Sequence, residues 1–306
     1  VADRTRILIT GASGFVGRHL VAALGRDCPR ATLFTDFFDV GDPQTVEAAV
    51  RAAVPDACVH LAGIASPVQA RLEPDLAWQV NLIGTLNLAR AILDAVPACR
   101  FLFVSTSEVY GASFRPGTPL DETAMLAPMN TYAATKAAAD LAIGAMVHAG
   151  LNAIRVRPFN HTGSGQTSAY VVSAFAQQLV RIGAGLQGPS MKVGGLRSER
   201  DFLDVRDVCA AYVTCLTAPD TVLLPGTILN LASGTPRSIE SVLNDLCRIA
   251  GLTPAIESDA GLQRPTDIPR ACGDSGLARR LLGWQPKIAW EQTLTDVLAD
   301  WQDRLT

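Results

Sequence analysis

The chain has 306 residues, 48% hydrophobic and 18% charged, an ordinary globular balance with ample material for a core. Twenty-nine acids against 26 lysines and arginines give a net charge of −3 without runs of like charge, which argues against a nucleic-acid footprint or a basic membrane patch. No stretch approaches the roughly 18 consecutive apolar residues of a membrane span, and seven scattered cysteines without a C-x-x-C pair show neither metal spacing nor a disulfide framework.

A strand is predicted at once, over Arg6–Thr10, leaving no room for an apolar leader, so the expected compartment is the cytoplasm. It runs into Gly11-Ala12-Ser13-Gly14-Phe15-Val16-Gly17 and then a helically spaced segment from Arg18 to Leu24. Strand, glycine turn and helix in that order make a dinucleotide fingerprint. Gly11 permits the tight turn, Gly14 lets backbone approach a pyrophosphate, Gly17 allows close packing, and the helix start around Phe15 and Val16 offers N–H groups to the anion. The spacing is G-x-x-G-x-x-G, and a glycine-rich turn without a ligand is the plain alternative.

The second strand is expected from Ala31 to Thr35, ending at Asp36, close to where an acid grips an adenosine ribose 2′-OH. Only a short segment separates Asp36 from Asp42, so the usual second loop and third strand are compressed, and Asp39–Val40 is the alternative pair beside the adenine. Either aspartate could equally be a turn residue. Pro43–Val54 reads as helix, and Ala57–Gly63 as a buried strand whose end, at Leu61, Ala62 and Gly63, faces the cofactor position of a doubly wound sheet. His60 within it reads as a satisfied, partly buried histidine rather than a catalytic one. Trp78–Val96 is helical and contains Asn81.

Arg100–Val104 is a continuous apolar strand that runs into Ser105-Thr106-Ser107-Glu108-Val109-Tyr110-Gly111. Hydroxyls, an acid and a phenol at a strand C-terminus sit where such folds place chemistry. Asn130-Thr131-Tyr132-Ala133-Ala134-Thr135-Lys136 then opens an alanine-rich helix with Asn130 or Thr131 as cap, and Tyr132 and Lys136 share a face at i and i+4. An ammonium beside a phenol is expected to pull the phenol down from about 10, making Tyr132 a usable general acid or base. With only four tyrosines and three lysines in the chain the pairing is still not unusual enough to stand alone.

Glycine turn, hydroxyl at a strand end and Tyr-x-x-x-Lys together resemble the short-chain dehydrogenase/reductase superfamily, and Asn81-Leu82-Ile83-Gly84-Thr85 is similar to the N-x-x-G-T segment of its extended branch. The resemblance puts Thr106 in the position of the catalytic Ser or Thr and Glu108 where sugar-nucleotide dehydratases keep a base. It implies NADP or NAD as cofactor, with Lys136 on the nicotinamide ribose. In the later half, Arg157-Pro158-Phe159-Asn160-His161-Thr162-Gly163-Ser164-Gly165-Gln166, Lys192-Val193-Gly194, Arg200–Asp207, Asn230–Gly234 and Arg264–Pro269 resemble the GDP-6-deoxy-4-keto-D-mannose reductases, which form GDP-D-rhamnose. Ser164, where those reductases usually carry Pro, and the compressed stretch after Thr35 are departures.

Few charges are available to balance a diphosphate, so Arg200 and Arg264 are the candidates for it, since guanidinium forks match phosphate oxygens. By resemblance Asn160 contacts the sugar or diphosphate and Lys192 belongs to the substrate-binding set. Arg206 and Arg270 read as ion-pair residues, and Asp204 and Asp207 as caps of the helix over Val208–Leu216. Trp290, Leu294, Val297, Leu298 and Trp301 form one apolar helical face.

The expectation is therefore an α/β chain: a doubly wound parallel Rossmann sheet from 1–158 and 204–233, binding NAD(P), with a smaller C-terminal cap from 159–203 and 234–306 that binds a GDP-linked deoxyhexose. The expected reaction is hydride transfer to the C4 ketone of a GDP-4-keto-6-deoxyhexose. Its rivals are a GDP-mannose-type 4,6-dehydratase, an epimerase and a non-catalytic nicotinamide sensor. Relatives in the extended branch pair through the helix carrying Tyr132 and the one before it, which implies a homodimer with Ala138, Ala142 and Ala145 at the seam.

Overall fold

The computed structural model describes residues 5–262 and 268–305. Alternating strands and helices open the chain: β1 (Arg6–Thr10), α1 (Phe15–Asp27), β2 (Thr32–Phe34), α2 (Pro43–Ala53), β3 (Ala57–His60), α3 (Pro67–Leu72) and α4 (Pro74–Trp78). A π turn over Gln79–Gly84 then leads into α5 (Thr85–Ala95), β4 (Arg100–Val104), a 3-10 segment over Ser107–Phe114, α6 (Thr131–His148) and β5 (Ala153–Pro158). The helix expected over Trp78–Val96 is thus interrupted at Asn81 by a wider turn.

With β9 (Ile228–Leu231), these strands form one six-stranded sheet in the order β2-β1-β3-β4-β5-β9, every neighbouring pair parallel. The order reverses between β1 and β3, which places a ligand crevice at their C-terminal ends. The compression after Thr35 has its structural counterpart here, because β2 is only three residues long and forms the sheet edge. Side chains alternate across the sheet. Ile7, Ile9, Val59, Leu102, Ile154 and Val156 pack on one face with α1 and with α8 (Val205–Thr217), while Leu8, Cys58, Phe101 and Phe103 pack on the other with α2, α5 and α6. Each such large apolar side chain contributes about 1.5–3 kcal/mol on burial.

Between β5 and β9 lie β6 (Asn160–Thr162), α7 (Val171–Gly183), β7 (Ser190–Val193) and β8 (Glu199–Asp204). After β9 come β10 (Pro236–Ser238), α9 (Ile239–Ala250), β11 (Ala255–Ser258), β12 (Arg270–Ala271), α10 (Gly276–Leu282) and α11 (Trp290–Asp303). Helices α7, α9 and α11 share a separate apolar cluster that includes Leu294, Val297, Leu298 and Trp301, as the spacing predicts. One piece differs from the sequence-based division: Ala278 of α10 and Trp284 pack into the larger core against α8 and β9, with Trp284 Nε1 donating to the Asp207 carbonyl at 2.9 Å. Asp204 caps α8 by accepting from Arg206 N at 2.8 Å, but Asp207 does not cap it. Its carboxylate accepts from Lys287 N and Ile288 N, which ties the segment ahead of α11 to α8.

Candidate active site

At the end of β1 the glycine turn does what its residues dictate. Gly11 has φ +70°, and a Cβ there would lie 2.7 Å from Ala62 N; a Cβ on Gly17 would lie 2.3 Å from the Gly11 carbonyl oxygen. Only glycine lets α1 start this close to β1 and β3. Gly14 occupies the cap position of α1, and no side chain satisfies the N–H groups of that first turn, including Phe15 and Val16. A backbone cradle opening on uncapped helix N–H groups fits a dinucleotide pyrophosphate. Leu61, Ala62 and Gly63 continue β3 alongside it, with Ala62 N donating to Thr10 Oγ1 at 3.1 Å.

Asn81 is held by the π turn rather than by an ordinary helical turn. Buried, it accepts from Ile64 N at 2.8 Å and donates to Ile64 O at 3.1 Å and to Thr135 Oγ1 at 3.0 Å, linking the β3 loop to α6. Gly63 must be glycine for this, because a Cβ would sit 2.8 Å from Asn81 Oδ1. His60 is fully engaged, with Nδ1 2.7 Å from Thr10 Oγ1 and Nε2 3.0 Å from Thr85 Oγ1, and burial lowers it to about 3. Asp36 and Asp39 are exposed in the loop after β2, while Val40 is buried against Gly84.

The end of β4 and the start of α6 meet at the reacting group. Thr106 caps the 3-10 segment, its Oγ1 accepting from Glu108 N at 3.2 Å, and its hydroxyl lies near enough to Tyr132 to favour the phenolate. Asn130 caps α6 with Oδ1, at 2.8 Å from Ala133 N, while its Nδ2 donates to Glu108 Oε2 at 3.0 Å. One residue therefore starts the helix carrying Tyr132 and also aims the carboxylate beside it.

The electrostatics correct one expectation. Burial first, then the Glu108 carboxylate, pushes the Tyr132 phenol above its ordinary value, against a lowering by the Thr106 hydroxyl. Lys136 does not pull it down, because its ammonium donates to the Val104 carbonyl at 2.6 Å and lies 4.7 Å over the Phe103 ring. Burial brings Lys136 itself down to about 8, opposed by Asp140 one turn further along α6. Tyr132 therefore holds its proton at neutral pH more firmly than a free phenol does.

Arg200, on β8, lies within the electrostatic reach of Glu108 and donates to the Glu199 carbonyl at 2.7 Å; burial lowers it. Strand β8 pairs with β6, which brings exposed Asn160 opposite Phe202, two residues from Arg200. Lys192 is exposed on β7, paired with Glu257 on β11. Arg264 lies outside the described residues. Arg206 and Arg270 pair with Asp204 and Glu199, as expected of ion-pair residues.

Behind α6 lies a buried network not assigned from the sequence. Asp140 has no exposed surface and accepts from Arg157 Nε at 2.9 Å, Arg157 Nη2 at 3.0 Å and Arg155 Nη1 at 3.1 Å. Arg157 also donates to Tyr110 Oη, which donates to Asn230 Oδ1 at 2.7 Å. The i,i+4 step from Lys136 to Asp140 was visible in the sequence; its partners on β5 were not.

The family described as GDP-mannose 4,6 dehydratase matches residues 26–297. The chain is 34% identical to the GDP-6-deoxy-D-mannose reductase of Pseudomonas aeruginosa over 98% of both chains, and 28% identical to the GDP-6-deoxy-D-talose 4-dehydrogenase of Aggregatibacter actinomycetemcomitans over 91% of both. The structure of RMD from P. aeruginosa complexed with NADPH superposes with a TM-score of 0.90 at 33% identity, covering 98% of this chain and 99% of that one. The UDP-glucose 4-epimerase of Thermus thermophilus in complex with NAD gives 0.83 at 25% identity, with 98% and 99% covered.

Proposed function

Because the chain belongs to the GDP-mannose 4,6-dehydratase family of extended short-chain dehydrogenase/reductases, we propose that it reduces the C4 ketone of a GDP-4-keto-6-deoxyhexose to the alcohol, giving a GDP-6-deoxyhexose such as GDP-D-rhamnose. The observation that carries the reading is the nearness of Thr106 to Tyr132 at the strand ends, beside the glycine cradle. NAD(P)H, when bound, supplies the hydride that reaches C4. Tyr132 gives its proton to the carbonyl oxygen, and Thr106 holds that oxygen and shares the charge left on Tyr132. Lys136 holds the nicotinamide ribose once its ammonium turns from Val104. Asn160, Lys192, Arg200 and Arg264 form the nucleotide-sugar side, where Arg200 offers a guanidinium to the diphosphate and Glu108 steadies it.

In this reading residues 1–158 and 204–233, with α10 and Trp284 packed against them, carry the dinucleotide, and the rest of the chain caps the sugar. No helix among the described residues is long and apolar enough to cross a membrane, and we assign the enzyme to the cytoplasm. Two copies pair through α5 and α6, where Leu141 and Ala145 are exposed beside half-buried Ala138 and Ala142.

The test supplies the keto sugar from GDP-mannose with a separate 4,6-dehydratase and follows reduced-nicotinamide absorbance. Loss of absorbance that needs both proteins, and that Tyr132→Phe abolishes while dinucleotide binding persists, supports the reading. Conversion of GDP-mannose to a keto sugar by this protein alone would replace it with the dehydratase.

A further inference from the structure

Thr106 and Tyr132 stand on different elements. The first opens the 3-10 segment Ser107–Phe114, the second lies at the start of α6, and the stretch between, 115–130, holds no helix or strand. On the open side the bond from Asn130 Nδ2 to Glu108 Oε2 joins them at 3.0 Å, and being exposed it competes with water.

On the buried side lies Tyr110, four residues after Thr106 on the 3-10 segment and without exposed surface. Asn230 spends its amide protons on the Leu120 and Asp274 carbonyls, at 3.0 and 3.3 Å, which turns its Oδ1 toward Tyr110. Tyr110 Oη donates to that oxygen at 2.7 Å and accepts from Arg157 Nη1 at 3.0 Å. Burial pushes this phenol above its ordinary value, which keeps the donated proton in place.

Arg157 carries the connection to α6. Its guanidinium lies 5.1 Å over the Tyr110 ring and grips both oxygens of Asp140, at 2.9 and 3.0 Å, in the bidentate geometry that fixes direction as well as distance. Asp140 lies one turn along α6 from Lys136 and two from Tyr132. Buried links therefore run from the segment of Thr106, through Tyr110, Arg157 and Asp140, to the helix of Tyr132 and Lys136. The same cluster holds the intervening stretch, because Arg157 Nη1 also donates to the Glu122 carbonyl at 3.3 Å and Asn230 N to Glu122 Oε1 at 2.8 Å.

We propose that Tyr110 is a positioning residue, which sets the Thr106 hydroxyl against the Tyr132 phenol through Arg157 and Asp140. The inference rests on the reductase reading above. An error of about 1 Å in placing a reacting group can cost roughly 100-fold in rate, so a buried brace between the two elements bears directly on turnover.

A double-mutant cycle of Tyr110→Phe and Thr106→Val, read as oxidation of the reduced nicotinamide with the keto sugar, tests it. Tyr110→Phe keeps the ring beneath Arg157 and deletes only the hydroxyl. Alone it should lower kcat by about tenfold or more, with KM and dinucleotide affinity nearly unchanged. In the Thr106→Val background the same change should cost under about threefold, since no hydroxyl is left to misplace. A purely structural role would cost the same in both backgrounds. Circular-dichroism melts confirm that each variant folds. Should Tyr110→Phe not fold, Arg157→Lys takes its place in the cycle, keeping a cation beside Asp140 but not the fork that reaches Tyr110. Equal losses in both backgrounds, no loss in either, or failure of both replacements to fold overturns the positioning role and leaves the reductase reading standing. A wild type that does not turn over the keto sugar overturns both.

Discussion

Replacing Asp140 with Asn keeps the shape of the side chain and removes its charge from between two guanidiniums. Arg157 is 3% exposed and Arg155 13%, so neither can turn to solvent for compensation. Removing one partner of a buried ion pair costs about 3–5 kcal/mol. Arg157 keeps Tyr110 Oη at 3.0 Å and the Glu122 carbonyl at 3.3 Å, Arg155 keeps the Gly226 carbonyl, and the amide oxygen still accepts one bond. The expected loss is therefore at the lower end, about 3 kcal/mol, out of the roughly 5–15 kcal/mol of a typical domain. Urea unfolding near neutral pH, followed by far-ultraviolet circular dichroism, measures it.

The pH dependence has a definite sign. Burial alone would raise Asp140, but the hydrogen bonds and charge of Arg157, with smaller help from Ser105 and Arg155, bring it below its ordinary value. Its contribution is complete above the unfolded carboxylate pKa, and it is lost as pH falls through the lower folded value. The stability gap between wild type and Asp140→Asn should therefore close in acid. A loss under about 1 kcal/mol at neutral pH, the range of an exposed pair, would refute the reasoning.

Gly17→Ala should weaken dinucleotide binding by about tenfold or more, because its Cβ would press on the Gly11 and Ala12 carbonyls at 2.3 and 2.5 Å and such overpacking costs about 1–3 kcal/mol; calorimetry measures it. Thr106→Val should lower kcat by roughly 100-fold with little change in KM, as expected when one donor to the developing oxyanion is removed. Lys136 keeps its proton below about 8 and loses it as pH rises, so dinucleotide affinity should fall on the alkaline side, and Lys136→Met should flatten that limb.

Features set by local geometry were legible in the sequence. Gly11 and Gly17 announce themselves because no other residue fits a turn at φ +70° or a Cβ position already filled by a carbonyl. Tyr132 and Lys136 fall on one face by helical spacing alone, and the sheet follows from apolar runs bounded by turns. What depends on distant segments was not legible. The upward shift of Tyr132 comes from burial that only the assembled fold provides and then from Glu108, 24 positions earlier. Asp207 was read as a cap because the sequence shows its neighbours on α8, but its carboxylate is taken by Lys287 N and Ile288 N, 80 residues on. Helix α10 follows Trp284 into the larger core for the same reason: its packing partner is on α8, and chain order does not reveal that.

The π turn also bears on how the chain tolerates changes in length. A π turn holds one residue more than an α turn, and in this one Asn81 points inward to Ile64 and Thr135, with Thr85 one turn on reaching His60. Deleting a residue of that turn would regularise the helix and re-aim the side chains of the turn itself, Asn81 among them. A helix between two loops can usually shed a residue by sliding its end; this one is pinned at its middle, so its residue count is as constrained as its sequence.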